Sequence, residues 1–137
     1  IRTLAVSQQV SPVAAVPEVR EKLVALQQAM GVQKGVVMDG RDIGTVVFPE
    51  AELKLYLTAS ADTRAHRRYK ELIDKGDKVD FDAVLKNVQE RDYIDSHRAT
   101  SPLKKAEGAI EIDNSDMGLE EQFERILSHA NALIERS

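Results

Sequence analysis

The chain has 137 residues, 42% of them hydrophobic and 31% charged, with a formal net charge of −4. That is the make-up of one globular domain, not of a disordered or fibrous chain. The acidic balance argues against duplex nucleic acid as a partner, and no apolar run approaches the roughly 20 residues of a membrane-spanning helix.

Cysteine is absent, and His66, His97 and His129 show no zinc-ligand spacing, so disulfide, thiolate and zinc chemistry have no basis here. The opening IRTLAVSQQV lacks the basic start and long apolar core of a signal peptide. A soluble, reducing, cytoplasmic setting is the expectation. Arg outnumbers Lys, ten to nine, and several Arg cluster. On an acidic protein this hints at local phosphate recognition.

In chain order, residues 1–16 have room for one or two short helices. Pro17 suits a first helical position, where its missing N–H costs nothing. Val19, Leu23, Leu26 and Met30 then follow at helical spacing, and Gly31 ends the helix. Arg20 lies off this stripe, free to point into a cleft. Gly35–Met38 is a short apolar run read as a strand that stops at Asp39-Gly40. Lys54–Thr58 is a second strand candidate. Ser60 is a plausible N-cap. Ala61, Ala65, Tyr69, Leu72 and Ile73 make the inner side of a helix closed by Lys75-Gly76. Asp80 can cap the next helix, with the stripe Phe81, Val84, Leu85 and Val88. Ser101-Pro102 closes that segment. Ala109–Asp113 is a third strand candidate. Leu119, Phe123, Ile126, Leu127, Ala130 and Ile134 define an amphipathic final helix. Strands alternating with helices predict α/β architecture with parallel βαβ units and right-handed crossovers.

Three clusters carry potential chemistry. Asp39-Gly40-Arg41-Asp42 follows an apolar run. Asp-Gly is a common turn pair and the rest could be surface charge. In an open α/β sheet, however, ligands bind outside the carboxyl ends of strands, and a strand-end Asp is how Walker-B-type carboxylates meet Mg²⁺. Arg91, Asp95 and Arg98 share a helix face if the helix persists that far. They read either as a solvated ion-pair ladder or as a guanidinium fork for phosphate oxygens. Arg64, Arg67 and Arg68 crowd like charge, which is unfavourable unless an anion or carboxylate lies among them. No Gly-Lys-[Ser/Thr] occurs, so the usual Walker A phosphate cradle is absent from these residues.

SQQVSPVAAVPEVREKL, VVMDGRDIGTVVFPEAELKLYLTASADTRAHRR and NVQERDYIDSHRATSPL, in this order and spacing, closely resemble bacterial cytidylate kinase. The DGRDIGTVVFP string with the later ERDxxDxxR string is highly specific to that family, and the similarity runs through the whole chain.

The resemblance implies a three-layer P-loop NTPase-type parallel sheet of the nucleoside monophosphate kinase fold, here incomplete without the P-loop strand. It implies transfer of the ATP γ-phosphoryl group to CMP or dCMP, with Mg²⁺ accompanying ATP. Carried over by position, Ser11 and Arg20 read the cytosine edge and Asp42 shares that pocket. Arg41 meets the nucleotide phosphate. Arg91 and Asp95 lie near the ribose and the transferring phosphoryl group, and Arg98 is another arginine of the CMP site. Arg41, Arg91 and Arg98 are the catalytic set. Arg64, Arg67 and Arg68 fall where lid arginines approach ATP, and Asp39 matches a carboxylate reaching Mg²⁺ through water. The implied regions are 1–30 as the end of the NMP-binding region, 31–66 and 103–137 as the core, and 67–102 as the lid.

By the same resemblance, the P-loop, its Lys, its Mg²⁺-binding hydroxyl and most of the NMP-binding insertion precede this chain, and the P-loop strand belongs between Val36–Met38 and Lys54–Leu57. The 137 residues are therefore expected to be the C-terminal portion of a longer, monomeric polypeptide, and to be inactive alone. Its partners would be CMP, dCMP and ATP, with neither nucleic acid nor membrane. Two other readings stand beside this one: a non-catalytic nucleotide-binding or partner module lacking the ATP site, and a helical interaction protein built on the final helix.

Overall fold

The computed structural model describes residues 2–137; Ile1, the first residue of the expected 1–30 region, lies outside the described residues. Two helices come first, α1 (Leu4–Ala14) and α2 (Pro17–Met30). Thr3 caps α1 by accepting from the Val6 N–H, and Pro17 opens α2 as its residue type predicts. A π-helical turn, Ile43–Val47, precedes strand β1 (Leu55–Thr58). Next come α3 (Ala61–Asp74), α4 (Phe81–His97), β2 (Ile110–Asp113) and α5 (Leu119–Arg136).

β1 and β2 pair in parallel, Leu55 opposite Ile110 through Thr58 opposite Asp113. α3 and α4 form the crossover between them, as a parallel pair requires. The expected strands at Lys54–Thr58 and Ala109–Asp113 are thus present. The third is not. Among the described residues, 36–38 take part in no sheet, and Val36 and Val37 are exposed. A strand exists only where its backbone N–H and C=O groups find a partner, and apolar composition alone provides none.

Ser60 caps α3, its Oγ accepting from the Thr63 N–H at 3.0 Å. The helix ends at Lys75, and Gly76 follows at φ +86°, a left-handed position that favours glycine. Asp80 stands at the N-cap of α4, but its side chain makes no capping bond, contrary to the expected role. The predicted boundary between core and lid at 66/67 falls inside α3.

The apolar core is small: Val47, Ala65, Leu72, Val84, Ala106 and Ile112. α3 packs on α4, α1 on α4 and on α2, and α2 on the π-helical turn. At the last contact Gly31 lies under the Phe48 ring, where a Cβ would collide with it. α5 has no comparable contact with another element, and Leu119, Phe123 and Ile134 on its apolar face are exposed.

Candidate active site

Seven polar or charged residues are buried: Ser7, Ser11, Arg20, Asp42, Asn87, Asp95 and Arg98. Among the described residues they outnumber the buried apolar ones, an inversion of the usual ranking that needs a chemical reason.

Helix geometry gathers them. Ser7 and Ser11 stand one turn apart on α1 and are its buried residues; two small side chains on one face let α1 approach α4 closely. Asn87, Arg91 and Asp95 repeat every fourth residue along α4 and share a face. Arg20 is the buried residue of α2. Asp42 begins the π-helical turn, where its carbonyl accepts from Val46 N–H at 2.9 Å and Val47 N–H at 3.2 Å. This wide turn carries Asp42 inward, so Asp42 is buried while Asp39 and Gly40 stay exposed.

Arg20 Nε lies 3.3 Å from Asp42 Oδ2. Arg41 Nε lies 2.6 Å from Asp95 Oδ2, and Arg98 Nη1 lies 3.7 Å from Asp95 Oδ1. The first two contacts are ionic but off line for hydrogen bonds, leaving Arg20 Nε, Asp42 Oδ2 and Asp95 Oδ2 buried without a hydrogen-bond partner. Ser11 Oγ, Arg91 Nε and Arg98 Nη2 are in the same condition. Arg98 Nε is satisfied, donating to the Ser101 carbonyl at 2.7 Å.

The helix does not persist through Arg98, the condition on which Arg91, Asp95 and Arg98 would share its face. α4 stops at His97, and Arg98 is extended at φ −65°, ψ 145°. Its side chain still reaches Asp95, from the cap and not from the helix face. Leu103 N–H donates to the Asp95 carbonyl at 2.7 Å and holds the following loop against α4.

Four guanidiniums, of Arg20, Arg41, Arg91 and Arg98, face two buried carboxylates, Asp42 and Asp95, so the cluster carries excess positive charge. Burial and then the Arg41 charge pull Arg91 below the ordinary arginine value. Burial and then Arg20 do the same to Arg98. Crowded cations with unused donors are disfavoured unless an anion joins them. The cluster can therefore bind anionic oxygens, and Arg20 and Asp42 together offer a donor and an acceptor to a polar group.

The second arginine group is disposed differently. Arg64 forms a bidentate pair with Asp92 at 3.0 and 2.6 Å and donates to the Ala59 carbonyl at 3.0 Å. Arg67 donates to Asn114 Oδ1 at 2.9 Å, and Arg68 to Glu71 at 2.8 Å. Two carboxylates, Asp92 and Glu71, offset part of the like charge, and neutral oxygens take further donors. Arg67 ties α3 to the loop after β2, beside the carboxyl ends of both strands. Asp39 is exposed, and among the described residues no group of three or more His, Cys, Asp or Glu could hold a metal ion.

Ser7 and Asn87 were not legible as site residues. Short polar side chains inside helices carry no periodic signal that separates them from solvent-facing ones.

The profile of the family described as Cytidylate kinase matches residues 1–132. The chain belongs to the cytidylate kinase family. It is 63% identical over 131 residues to the cytidylate kinase of Flavobacterium psychrophilum, covering 96% of this chain and 58% of that protein. Identity to the Flavobacterium johnsoniae cytidylate kinase is 62% over 134 residues, covering 98% and 58%. The Bacteroides thetaiotaomicron cytidylate kinase is 56% identical over 124 residues, covering 90% and 54%. The chain therefore spans a little over half the length of the curated relatives it matches. Membership in a kinase family accounts for a buried, cation-rich cluster better than a helical interaction protein does. No helix is long and apolar enough to cross a membrane, among the described residues.

Proposed function

We propose that this chain forms the acceptor-nucleotide side of a kinase that transfers the γ-phosphoryl group of ATP to CMP or dCMP, giving CDP or dCDP and ADP, in the cytoplasm. The observation that carries the reading is the cluster of four arginines around buried Asp42 and Asp95, with excess positive charge and unused donors. Ser11, Arg20 and Asp42 read the cytosine edge, and Arg41 holds the CMP phosphate. Arg91, Asp95 and Arg98 lie at the ribose and at the phosphoryl group in transit. Phosphoryl transfer needs alignment and charge neutralisation more than covalent help. A planar, permanently charged guanidinium provides both.

The chain contains no Gly-Lys-[Ser/Thr] run, so this reading places the cradle for ATP phosphates outside these residues, on a P-loop NTPase-type sheet. Arg64, Arg67 and Arg68 are the lid arginines of this reading. They reach ATP by exchanging Asp92, Asn114 and Glu71 for phosphate oxygens when the lid closes and excludes water. Asp39 contributes to a Mg²⁺ shell only together with nucleotide phosphates, and no step is assigned to it.

The test is ADP release from ATP by the natural polypeptide carrying this sequence. Release should depend on CMP and fall sharply in Arg41→Ala. ATP turnover indifferent to CMP would overturn the assignment, and CMP binding without turnover would favour a non-catalytic module.

A further inference from the structure

Ser7, Asn87 and Arg91 form a chain of hydrogen bonds between α1 and α4. Ser7 Oγ donates to Asn87 Oδ1 at 2.9 Å and accepts from Arg91 Nη1 at 3.0 Å. Ser7 and Asn87 are 5% and 6% exposed. Arg91 is half-buried, and its Nε has no partner.

We infer that Ser7 and Asn87 are positioning residues that hold the Arg91 guanidinium at one orientation for the phosphoryl group, so that α1 helps to align a group carried on α4. The inference rests on the phosphoryl-transfer reading of the cluster. A serine hydroxyl has one proton. Asn87 Oδ1 takes it, which leaves the Ser7 lone pairs to face Arg91. Asn87 and Arg91 lie one turn apart on α4, so the acceptor for the Ser7 proton comes from the same rigid element as the arginine. The anchoring acceptor comes from α1, which packs directly on α4.

The anchor is needed because Arg91 has no carboxylate in hydrogen-bonding contact. Asp95 acts on it only at range, while the Arg41 charge opposes it. An arginine with four rotatable bonds, repelled by a neighbour, swings unless one nitrogen is tied. Binding Nη1 to a neutral hydroxyl fixes the plane without cancelling the positive charge that a phosphoryl group needs. A carboxylate in place of Ser7 would fix it equally well and neutralise it. Ser7 also precedes Ser11 by one turn, so the same α1 face that offers a hydroxyl to the base pocket sets the arginine at the other end of the site.

The experiment is a double-mutant cycle in the natural polypeptide carrying this sequence, with steady-state kinetics for CMP and side-chain NMR of the Arg91 guanidinium. Ser7→Ala should lower kcat about tenfold, the scale of a sub-ångström misplacement, with KM for CMP changed less than about twofold. Ser7→Thr should restore most of the rate. In an Arg91→Ala background, Ser7→Ala should have no further effect. NMR should show the Arg91 Hη signals losing their protection from exchange in Ser7→Ala and Asn87→Leu. A Ser7→Ala loss that persists undiminished without Arg91 would show a merely structural role and overturn the inference, as would unchanged Arg91 signals. Wild-type protein that fails to phosphorylate CMP would instead overturn the functional reading, and the NMR arm still decides the anchoring.

Discussion

Arg20 and Asp42 oppose each other inside the protein, Nε to Oδ2 at 3.3 Å, with side chains 9% and 3% exposed. One comes from α2 and the other from the start of the π-helical turn. The pair therefore couples the placement of the Asp-Gly-Arg-Asp segment to the first helical hairpin. Removing one partner strands a buried charge. Asp42→Ala should cost about 3–5 kcal/mol, while Arg20→Met with Asp42→Leu should cost clearly less than that single change. Urea denaturation of the two variants checks this. A single variant within about 1 kcal/mol of wild type would show that water reaches the pair.

Gly31 governs the same region sterically. Any Cβ there runs into the Phe48 ring just beyond the π-helical turn. Gly31→Ala should destabilise by about 1–3 kcal/mol through overpacking, and should weaken CMP binding because the turn that presents Arg41 and Asp42 is displaced. Denaturation and calorimetry on the one variant check both. Loss of stability with unchanged CMP affinity would uncouple Phe48 from the site.

Arg98 bridges the Asp95 carboxylate and the Ser101 carbonyl with its side chain 2% exposed. Lysine keeps the charge but cannot span two acceptors in a plane. Arg98→Lys should cost about 1–2 kcal/mol of stability and lower kcat/KM for CMP by about a hundredfold, the scale of a misplaced positioning group. Kinetics and thermal melting of the same sample compare the two losses. A rate loss no larger than the fall in stability explains would make Arg98 purely structural.

Glu71 sets an acid-sensitive contribution to stability. Hydrogen bonds from Lys75 and Arg68, with added attraction from Arg2, lower its pKa to about 2. A depressed carboxylate stabilises the fold above its unfolded value near 4.5, and that contribution disappears as pH falls through about 2. Glu71→Gln should therefore cost about 1 kcal/mol at pH 7, the scale of a partly exposed ion-pair network. The difference from wild type should shrink between pH 4.5 and pH 2. Melting curves at pH 7 and pH 2.5 check it; an equal gap at both would implicate packing and not charge.

Much of this was legible in the residues, and the exceptions share a cause. Pro17, Ser60 and Gly76 marked helix ends because local backbone chemistry acts over a few residues. The final helix formed as its stripe predicted, yet Leu119 and Phe123 stay exposed, since periodicity reports a preference for burial and not the surface that covers it. Val36–Met38 fails as a strand for the same reason. Of the residues expected at the site, Arg20, Asp42, Asp95 and Arg98 are buried within electrostatic reach of one another, and Ser11 is buried on α1. That clustering was visible only through the family resemblance, because spacing alone favoured a solvated charge ladder. The Ser7–Asn87 link had no signal in periodicity or charge, and required the α1–α4 contact to appear.

The central claim is that the arginine cluster with Asp42 and Ser11 binds a cytidine monophosphate. Calorimetric titration of CMP, UMP and inorganic phosphate into the natural polypeptide carrying this sequence, wild type and Arg20→Ala, tests it most directly. CMP should bind more tightly than UMP or phosphate in the wild type, and Arg20→Ala should weaken CMP at least tenfold while changing phosphate little. Equal binding of all three, or equal losses for CMP and UMP in Arg20→Ala, would contradict the account.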